Sequence, residues 1–173
     1  VNISDIRMSQ LQILRGTTWQ DALAFLRGLK SYCQSAITTL DRLEISEHRI
    51  EYEKVNLEDL FSILSKEFIE YRYILEYSSE PLLVAETFLK IYEKLGHVQV
   101  ATIHAYLHLL ESTNLPSEII SSIRRLRTKK LSFRELGKEL IKIDQELRRG
   151  GYDLDYLLTP LFMGIIMAIS SYF

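Results

Sequence analysis

Apolar residues recur at spacings of three and four along most of the chain, which is the pattern of amphipathic helices. In the first half, this pattern predicts helices over 3–14, 19–43 and 56–77, the last of them capped by Asn56. The polar stretch 44–55 has no clean period and is predicted to be a loop with at most one helical turn. Apolar and polar positions do not alternate for long enough anywhere to predict a strand.

Helix start and stop residues divide the second half of the chain. Proline is tolerated in the first turn of a helix and glycine is favoured just after the last turn, so Pro81 and Gly96 delimit one helix. Ser132 and Glu135 form a capping box. Helices are therefore predicted at 81–95, 97–112, 117–127 and 133–149, with a last helix capped by Asp153 or Thr159.

These elements predict an all-α fold, a single antiparallel bundle of about six to eight helices over residues 1–173. The C-terminal run 157–173 has no charged residue and is expected to be an apolar core helix. Its 17 residues fall short of the roughly 20 that a spanning helix needs, so no membrane span is expected. The first 16 residues lack the apolar core of a secretion signal, and we expect a cytoplasmic protein.

Charge is distributed unevenly along the chain. Residues 124–149 contain ten Lys or Arg and four Asp or Glu, a local charge of +6. The rest of the chain contains eleven Lys or Arg and nineteen Asp or Glu, a charge of −8. Opposite charge blocks of this kind favour either an anionic partner or contact between copies of the chain. The single cysteine excludes an intrachain disulfide framework.

Three histidines share one face of the helix predicted at 97–112. His97, His104 and His108 are separated by seven and four residues and fall within about 40° of one another, and Glu111 follows three residues later. Two imidazoles four residues apart on a helix can bind the same divalent metal ion, and a carboxylate can complete its set of ligands. The alternative interpretation is that this stripe is the solvent-facing side of an amphipathic helix.

A basic segment follows that helix. Guanidinium and ammonium groups bind phosphate, so the segment is a candidate site for a nucleotide, a nucleic acid or an acidic neighbour. The alternative is a solvated basic face. The candidate anion-binding residues are Arg124, Arg125, Arg127, Lys129, Lys130 and Arg134.

Common catalytic motifs are absent from the sequence. It contains no glycine-rich phosphate loop, no GxSxG and no HExxH. The leading interpretation is a non-catalytic assembly or binding module that associates with itself or with a protein partner, with no cofactor beyond the possible divalent metal. One alternative is a transferase-like enzyme acting on a phosphate-bearing ligand of the nucleotide or CoA type, and another is a nucleic-acid-binding helical protein.

Two segments of the second half carry a family resemblance. Residues 98–111 and 143–148, followed by the apolar run 157–166, resemble the triphosphoribosyl-dephospho-CoA synthase family of all-helical nucleotidyl-type transferases. The family's Asn-Pro-Gly or Ser-Pro-Gly turn before its last helix is replaced by Gly150-Gly151-Tyr152, and its Asn-Thr-His-Lys-Gly segment is absent. The resemblance implies an all-helical fold and a truncated or catalytically silent relative, so no catalytic residue is carried over.

Overall fold

The computed structural model describes residues 3–76, 79–129 and 131–172, and within these ranges its regular elements are helices without a strand. This confirms the all-α prediction. The described residues form eleven α-helices and one 3-10 turn. They divide into two compact units, one within 3–76 and one within 79–172. The single domain expected over 1–173 stays a prediction.

The N-terminal unit packs short helices around a small aliphatic and aromatic core. Leu26, Leu40, Leu60 and Leu64 are fully buried in it. The rings of Phe25 and Phe61 meet edge to face with their centroids 5.0 Å apart, a geometry that adds to the gain from burial. Its helices are α1 (Ile3–Arg15), α2 (Trp19–Tyr32), α3 (Ala36–Arg42), α4 (Glu47–Glu53), α5 (Leu57–Leu64) and α6 (Ile69–Leu75).

The continuous helix predicted over 19–43 is wrong. The chain leaves the helical conformation at Cys33, whose φ of −127° and ψ of 77° end α2, and α3 begins three residues later. The predicted helix over 56–77 is also interrupted, at 65–68, although Asn56 caps its start as expected by accepting a hydrogen bond from Asp59 N at 2.9 Å. Apolar spacing alone cannot reveal these breaks, because the stripe continues through them in phase.

The loop predicted over 44–55 contains the helix α4. Ser46 caps its first turn by accepting from Arg49 N at 3.1 Å, and Lys54 ends it in the left-handed conformation at φ 55°. Only Ile50 is buried along α4. A helix with a single buried residue has no apolar stripe to recognise, and this is why periodicity missed it.

The C-terminal unit contains the longer helices, and the boundaries predicted for the first four of them hold. The helices are α7 (Ser79–Leu95), α8 (Val98–Glu111), α9 (Ser117–Thr128), α10 (Phe133–Arg149) and α11 (Leu158–Tyr172). Gly96 ends α7 with φ 64°, and both hydrogen bonds of the Ser132–Glu135 capping box form. The predicted caps of the last helix are wrong, because α11 begins at Leu158 with Thr159 inside it, and Asp153 instead accepts from Asp155 N at 3.1 Å before the 3-10 turn Asp155–Leu157.

A two-residue connection joins α7 to α8, which places them side by side as an antiparallel hairpin, and α11 packs on α7. Gly164 makes the closest approach in this packing. A Cβ atom built there would lie 2.5 Å from the Pro81 carbonyl oxygen and 2.5 Å from Val84. Glycine at this position therefore lets two helix backbones come together.

The apolar C-terminal helix is buried on one face only. Leu161, Gly164 and Met167 are buried, whereas Phe162 and Ile166 are 59% and 61% exposed. The segment Asp155–Tyr172 is long and apolar enough to cross a membrane by length and composition, with a mean hydropathy of 1.3 and one third of its residues buried. Packing against α7 uses only one side of the helix, so the uncharged run leaves an apolar surface on the other.

Candidate functional site

Helices α7, α8 and α9 enclose a cleft that we call the histidine cleft. The part that contains His108, which we name the inner part, has a volume of about 370 Å³ and is lined by Thr87, Lys90, His104, His108 and Arg127, with other residues of α7 and α9. The part that reaches α10, which we name the outer part, has a volume of about 480 Å³ and shares His104 and Arg127 with the inner part. The outer part adds Lys94, Lys129 and Phe133.

The sequence of α8 explains why both histidines face this cleft. His104 and His108 are one turn apart, and the neighbouring positions Ala101, Ala105 and Leu109 are buried. Leu83, Glu86, Thr87 and Lys90 share one face of the neighbouring helix α7, because they are spaced by three, one and three residues. The hairpin turn at Gly96 brings this face beside the two histidines.

Both imidazoles of the cleft favour the neutral form. Burial lowers the pKa of His104 below its usual 6.5, and the positive charge of Arg127 lowers it further. Burial also lowers the pKa of His108, with Arg127 and Lys90 acting in the same direction and Glu111 opposing them. His108 Nδ1 lies 2.8 Å from Thr87 Oγ1, which holds the ring in place. Each neutral imidazole has one nitrogen that accepts and one that donates a hydrogen bond.

Glu111 anchors two arginines of α9. Its side chain is 8% exposed, and its carboxylate accepts from Arg124 Nε at 2.9 Å. Arg127 Nε lies 2.6 Å from Glu111 Oε2. This second contact is an ion pair without hydrogen-bond alignment, so both buried atoms lack a hydrogen-bond partner among the described residues. Glu111 thus holds Arg127 at the wall of the cleft and leaves the guanidinium incompletely bonded.

The structure separates the predicted anion-binding residues. Arg127 and Lys129 line the histidine cleft, whereas Arg124 is tied to Glu111. Arg125 lies on the other side of α9, in a polar groove of about 230 Å³ that it shares with Glu139 and with Lys129, which lines both sites. Arg134 is exposed outside both, and Lys130 lies outside the described residues. Among its described residues, the basic segment is therefore divided between two grooves that meet at Lys129.

The predicted metal ligands are also drawn apart. His97 caps α8, accepting from Val100 N at 3.5 Å, and its ring lies 5.6 Å from that of Phe133. The Glu111 carboxylate is occupied by arginines, while His104 and His108 remain together in the cleft. Across the parts of the chain that the structure describes, no group of three His, Cys, Asp or Glu residues is placed to hold a metal ion.

Sequence reasoning missed the contribution of α7 to the cleft. Lys90, Lys94 and Thr87 line it, although none was among the predicted site residues. Lys90 and Thr87 share a helix face with Glu86, and this polar group on an otherwise apolar helix was the available signal. The pairing of that face with His104 and His108 depends on the hairpin.

No family model matches the chain, and no curated protein matches it. Its fold is similar to that of a protein from Archaeoglobus fulgidus, known from a crystal structure and provisionally assigned as a triphosphoribosyl-dephospho-CoA synthase. The TM-score is 0.63, with 19% identity over 98% of this chain and 73% of that chain. This match supports the resemblance to the triphosphoribosyl-dephospho-CoA synthase family that the sequence indicated, and at this identity it establishes the shared all-helical fold.

Proposed function

We propose that the protein is a transferase-like enzyme that binds a phosphate-bearing ligand, of the nucleotide or CoA type, in the histidine cleft. The observation that carries the proposal is the meeting of four cations, Lys90, Lys94, Arg127 and Lys129, with two neutral imidazoles in one concave site. Phosphate oxygens need cationic donors, and group transfer needs a residue that accepts or donates a proton near neutral pH.

Phosphate binding is assigned to the inner part of the cleft. Lys90 and Arg127 supply charge there, and Thr87 supplies a hydroxyl. Glu86 is the acidic residue that lines this part, so the cations prevail. Arg127 is 28% exposed, so part of its side chain is accessible to a phosphate bound there although its Nε atom faces Glu111.

Proton transfer is assigned to the histidines. A general base must be unprotonated at the working pH, and the lowered pKa values of His104 and His108 meet that condition. Thr87 Oγ1 contacts the His108 ring at Nδ1, and in the tautomer in which Nδ1–H donates to Thr87, Nε2 is the nitrogen that accepts a proton. His104 lines both parts of the cleft and is therefore placed between a phosphate in the inner part and the rest of a ligand in the outer part.

Two further considerations favour a small ligand over a nucleic acid. Among its described residues, the basic segment is divided between two grooves that meet at Lys129, and Arg124 is held in an ion pair, an arrangement that suits a compact ligand better than an extended phosphate backbone. The neighbouring structure carries the name of an enzyme that forms a CoA derivative. That name supports the transferase interpretation over the non-catalytic one.

The test is isothermal titration of the untagged chain with ATP and with coenzyme A. We expect Lys90→Ala and Arg127→Ala to weaken binding about tenfold or more, the usual loss for one charged hydrogen bond to phosphate. Arg134→Ala is the matched control, because it removes a cation of the basic segment outside the cleft. Equal losses in all three variants would contradict the site, and no binding at millimolar ligand would contradict the proposal.

Catalysis is tested separately by incubating the chain with ATP and dephospho-CoA and following the mixture by mass spectrometry. We expect triphosphoribosyl-dephospho-CoA and free adenine to form together, because transfer of the triphosphoribosyl group of ATP breaks its bond to adenine. We expect His108→Gln to lower the rate while leaving ATP affinity within about threefold. Binding without any product would retain the cleft as a ligand site and reject the transferase.

A further inference from the structure

The outward face of α11 is an apolar stripe. Its residues are spaced by four, four, three and three positions, so they form one line along the helix. Their exposed fractions are 47% for Leu158, 59% for Phe162, 61% for Ile166, 45% for Ile169 and 55% for Tyr172. Half-exposed side chains of this size leave roughly 400 Å² of apolar surface open to water, which is comparable to the largest apolar patch on a typical soluble monomer, and such patches are often functional.

The stripe continues into an apolar groove of about 440 Å³ between α8, α10 and α11. Ile103, Leu107, Leu140 and Leu161 line the groove, and Leu158 belongs to both surfaces. A stable dimer buries about 800 Å² on each partner. The stripe supplies about half of that area, and the adjoining groove extends the same apolar surface.

The order of residues along the stripe is self-complementary. Phe162 and Ile166 lie two positions on either side of residue 164, and Leu158 and Ile169 lie at nearly equal distances beyond them. Consider the α11 helix of a second copy, packed antiparallel on the first, with the two-fold axis passing at the level of residue 164. Phe162 of one copy then lies against Ile166 of the other. The same axis pairs Leu158 with Ile169.

Charge selects a second copy over a membrane surface. Helices that lie on membranes carry Lys or Arg beside their apolar face, where these residues attract anionic lipid. Residues 150–173 contain neither, and the acidic residues Asp153 and Asp155 precede α11. An uncharged stripe is matched by an identical uncharged stripe without stranding any charge.

We propose that two copies of this chain associate through the α11 stripe, in an antiparallel two-fold dimer that pairs Phe162 with Ile166 across the axis. This interface is independent of the histidine cleft. It also differs from association through opposite charge blocks, because its strength does not fall as salt is raised.

The test is analytical ultracentrifugation of the untagged full chain and two single variants, Phe162→Lys and Ile166→Glu. A homodimer of either variant buries two unpaired charges, one from each copy. We therefore expect each variant to weaken self-association about a hundredfold or more. Mixing the two variants creates a heterodimer with two different contacts across the axis. In one, the ammonium introduced at position 162 meets the carboxylate introduced at position 166 of the other copy, and in the second the original Phe162 and Ile166 meet. We therefore expect the mixture to form heterodimers, although neither variant dimerises by itself.

Tyr32→Lys is the matched control, since Tyr32 is 94% exposed on α2 and lies outside the stripe. We expect it to associate like the unchanged chain. Circular dichroism checks that all variants fold. The proposal is overturned if the unchanged chain is monomeric at about 100 µM, if it floats with neutral phosphatidylcholine vesicles instead of dimerising, or if the mixed variants stay monomeric.

Discussion

The two sides of α8 border the two surfaces to which we assign function, and these surfaces differ in chemistry. On one side, His104 and His108 face a cleft lined by lysine and arginine. On the other side, Ile103 and Leu107 face an aliphatic groove that runs into the α11 stripe. A few polar positions on one largely apolar helix therefore direct it toward a charged ligand on one side and apolar contact on the other.

The neighbours of α8 decide how these sides are used. Helices α7 and α9 bring Lys90 and Arg127 to the histidine side, whereas α10 and α11 bring Leu140 and Leu161 to the other. Cations that line a cleft bind an anionic ligand through charge-assisted hydrogen bonds, whereas an apolar groove binds its partner by excluding water. Mutations should therefore affect ligand binding on one side and packing or association on the other.

The largest expected effect is on the inner face of α11. Gly164→Ala places a methyl group against the Pro81 carbonyl and Val84, which are backbone and helix-borne and cannot move aside easily. We expect a loss of about 2–3 kcal/mol in the free energy of unfolding, measured by urea denaturation. Gly137→Ala is the matched control on α10, where the added methyl meets nothing within 4 Å. Improved helix propensity should there stabilise the protein by about 0.5–1 kcal/mol, and equal signs would contradict the close packing.

The next effect concerns the anchor of Arg127. Glu111→Gln removes the negative charge that holds Arg124 and Arg127 while keeping the size of the side chain. We expect ATP affinity to fall about tenfold, because Arg127 is no longer held at the cleft wall. Dimer formation through α11 should not change. Unaltered ATP affinity in a folded Glu111→Gln variant would show that Arg127 acts without this anchor.

A smaller effect is expected from lowering the pH, which should decrease the free energy of unfolding and increase the affinity for ATP. The lowered pKa values of His104 and His108 mean that the unfolded chain binds more protons near pH 6 than the folded one. The free energy of unfolding should therefore fall as pH decreases through about 6.5, and it should be fully restored at higher pH. Denaturation at several pH values checks this, and the double variant His104→Gln, His108→Gln should show a shallower slope.

Binding of a phosphate ligand should respond in the other direction. A bound anion favours the protonated imidazole, so ATP should bind a few-fold more tightly at pH 6 than at pH 7.5. Lys90 and Arg127 oppose protonation and Glu111 favours it, as in the free cleft. Dimerisation should be unaffected over this range, because the stripe contains no group that titrates there. A pH-independent ATP affinity would separate the histidines from the phosphate site.

The smallest effect is predicted for the outward face of α11. Ile166→Ala should change the free energy of unfolding by less than about 0.5 kcal/mol when the chain is dilute enough to be monomeric, since Ile166 is 61% exposed. At high protein concentration the same variant should dimerise more weakly. A large loss of monomer stability would mean that this face packs within the monomer.

Local signals predicted the fold class and the helices of the C-terminal unit. Pro81, Gly96 and the Ser132–Glu135 capping box are short-range features, and each lies where the structure begins or ends a helix. In the N-terminal unit the helices are shorter, and their ends at Cys33 and at 65–68 depend on packing. A stripe that continues in phase across a break cannot reveal it, so periodicity joined helices that the fold separates.

The site was predictable only in part for the same reason. The sequence by itself determined that His104 and His108 share one face of a helix and that a basic segment follows, because both are properties of neighbouring residues. Tertiary structure alone decided that Arg127 joins them while Arg125 points to another groove, and that Lys90 completes the cleft. It also decided that half of the uncharged C-terminal helix stays exposed. Such choices depend on which helix faces meet, and contacts between residues distant in sequence set that pairing.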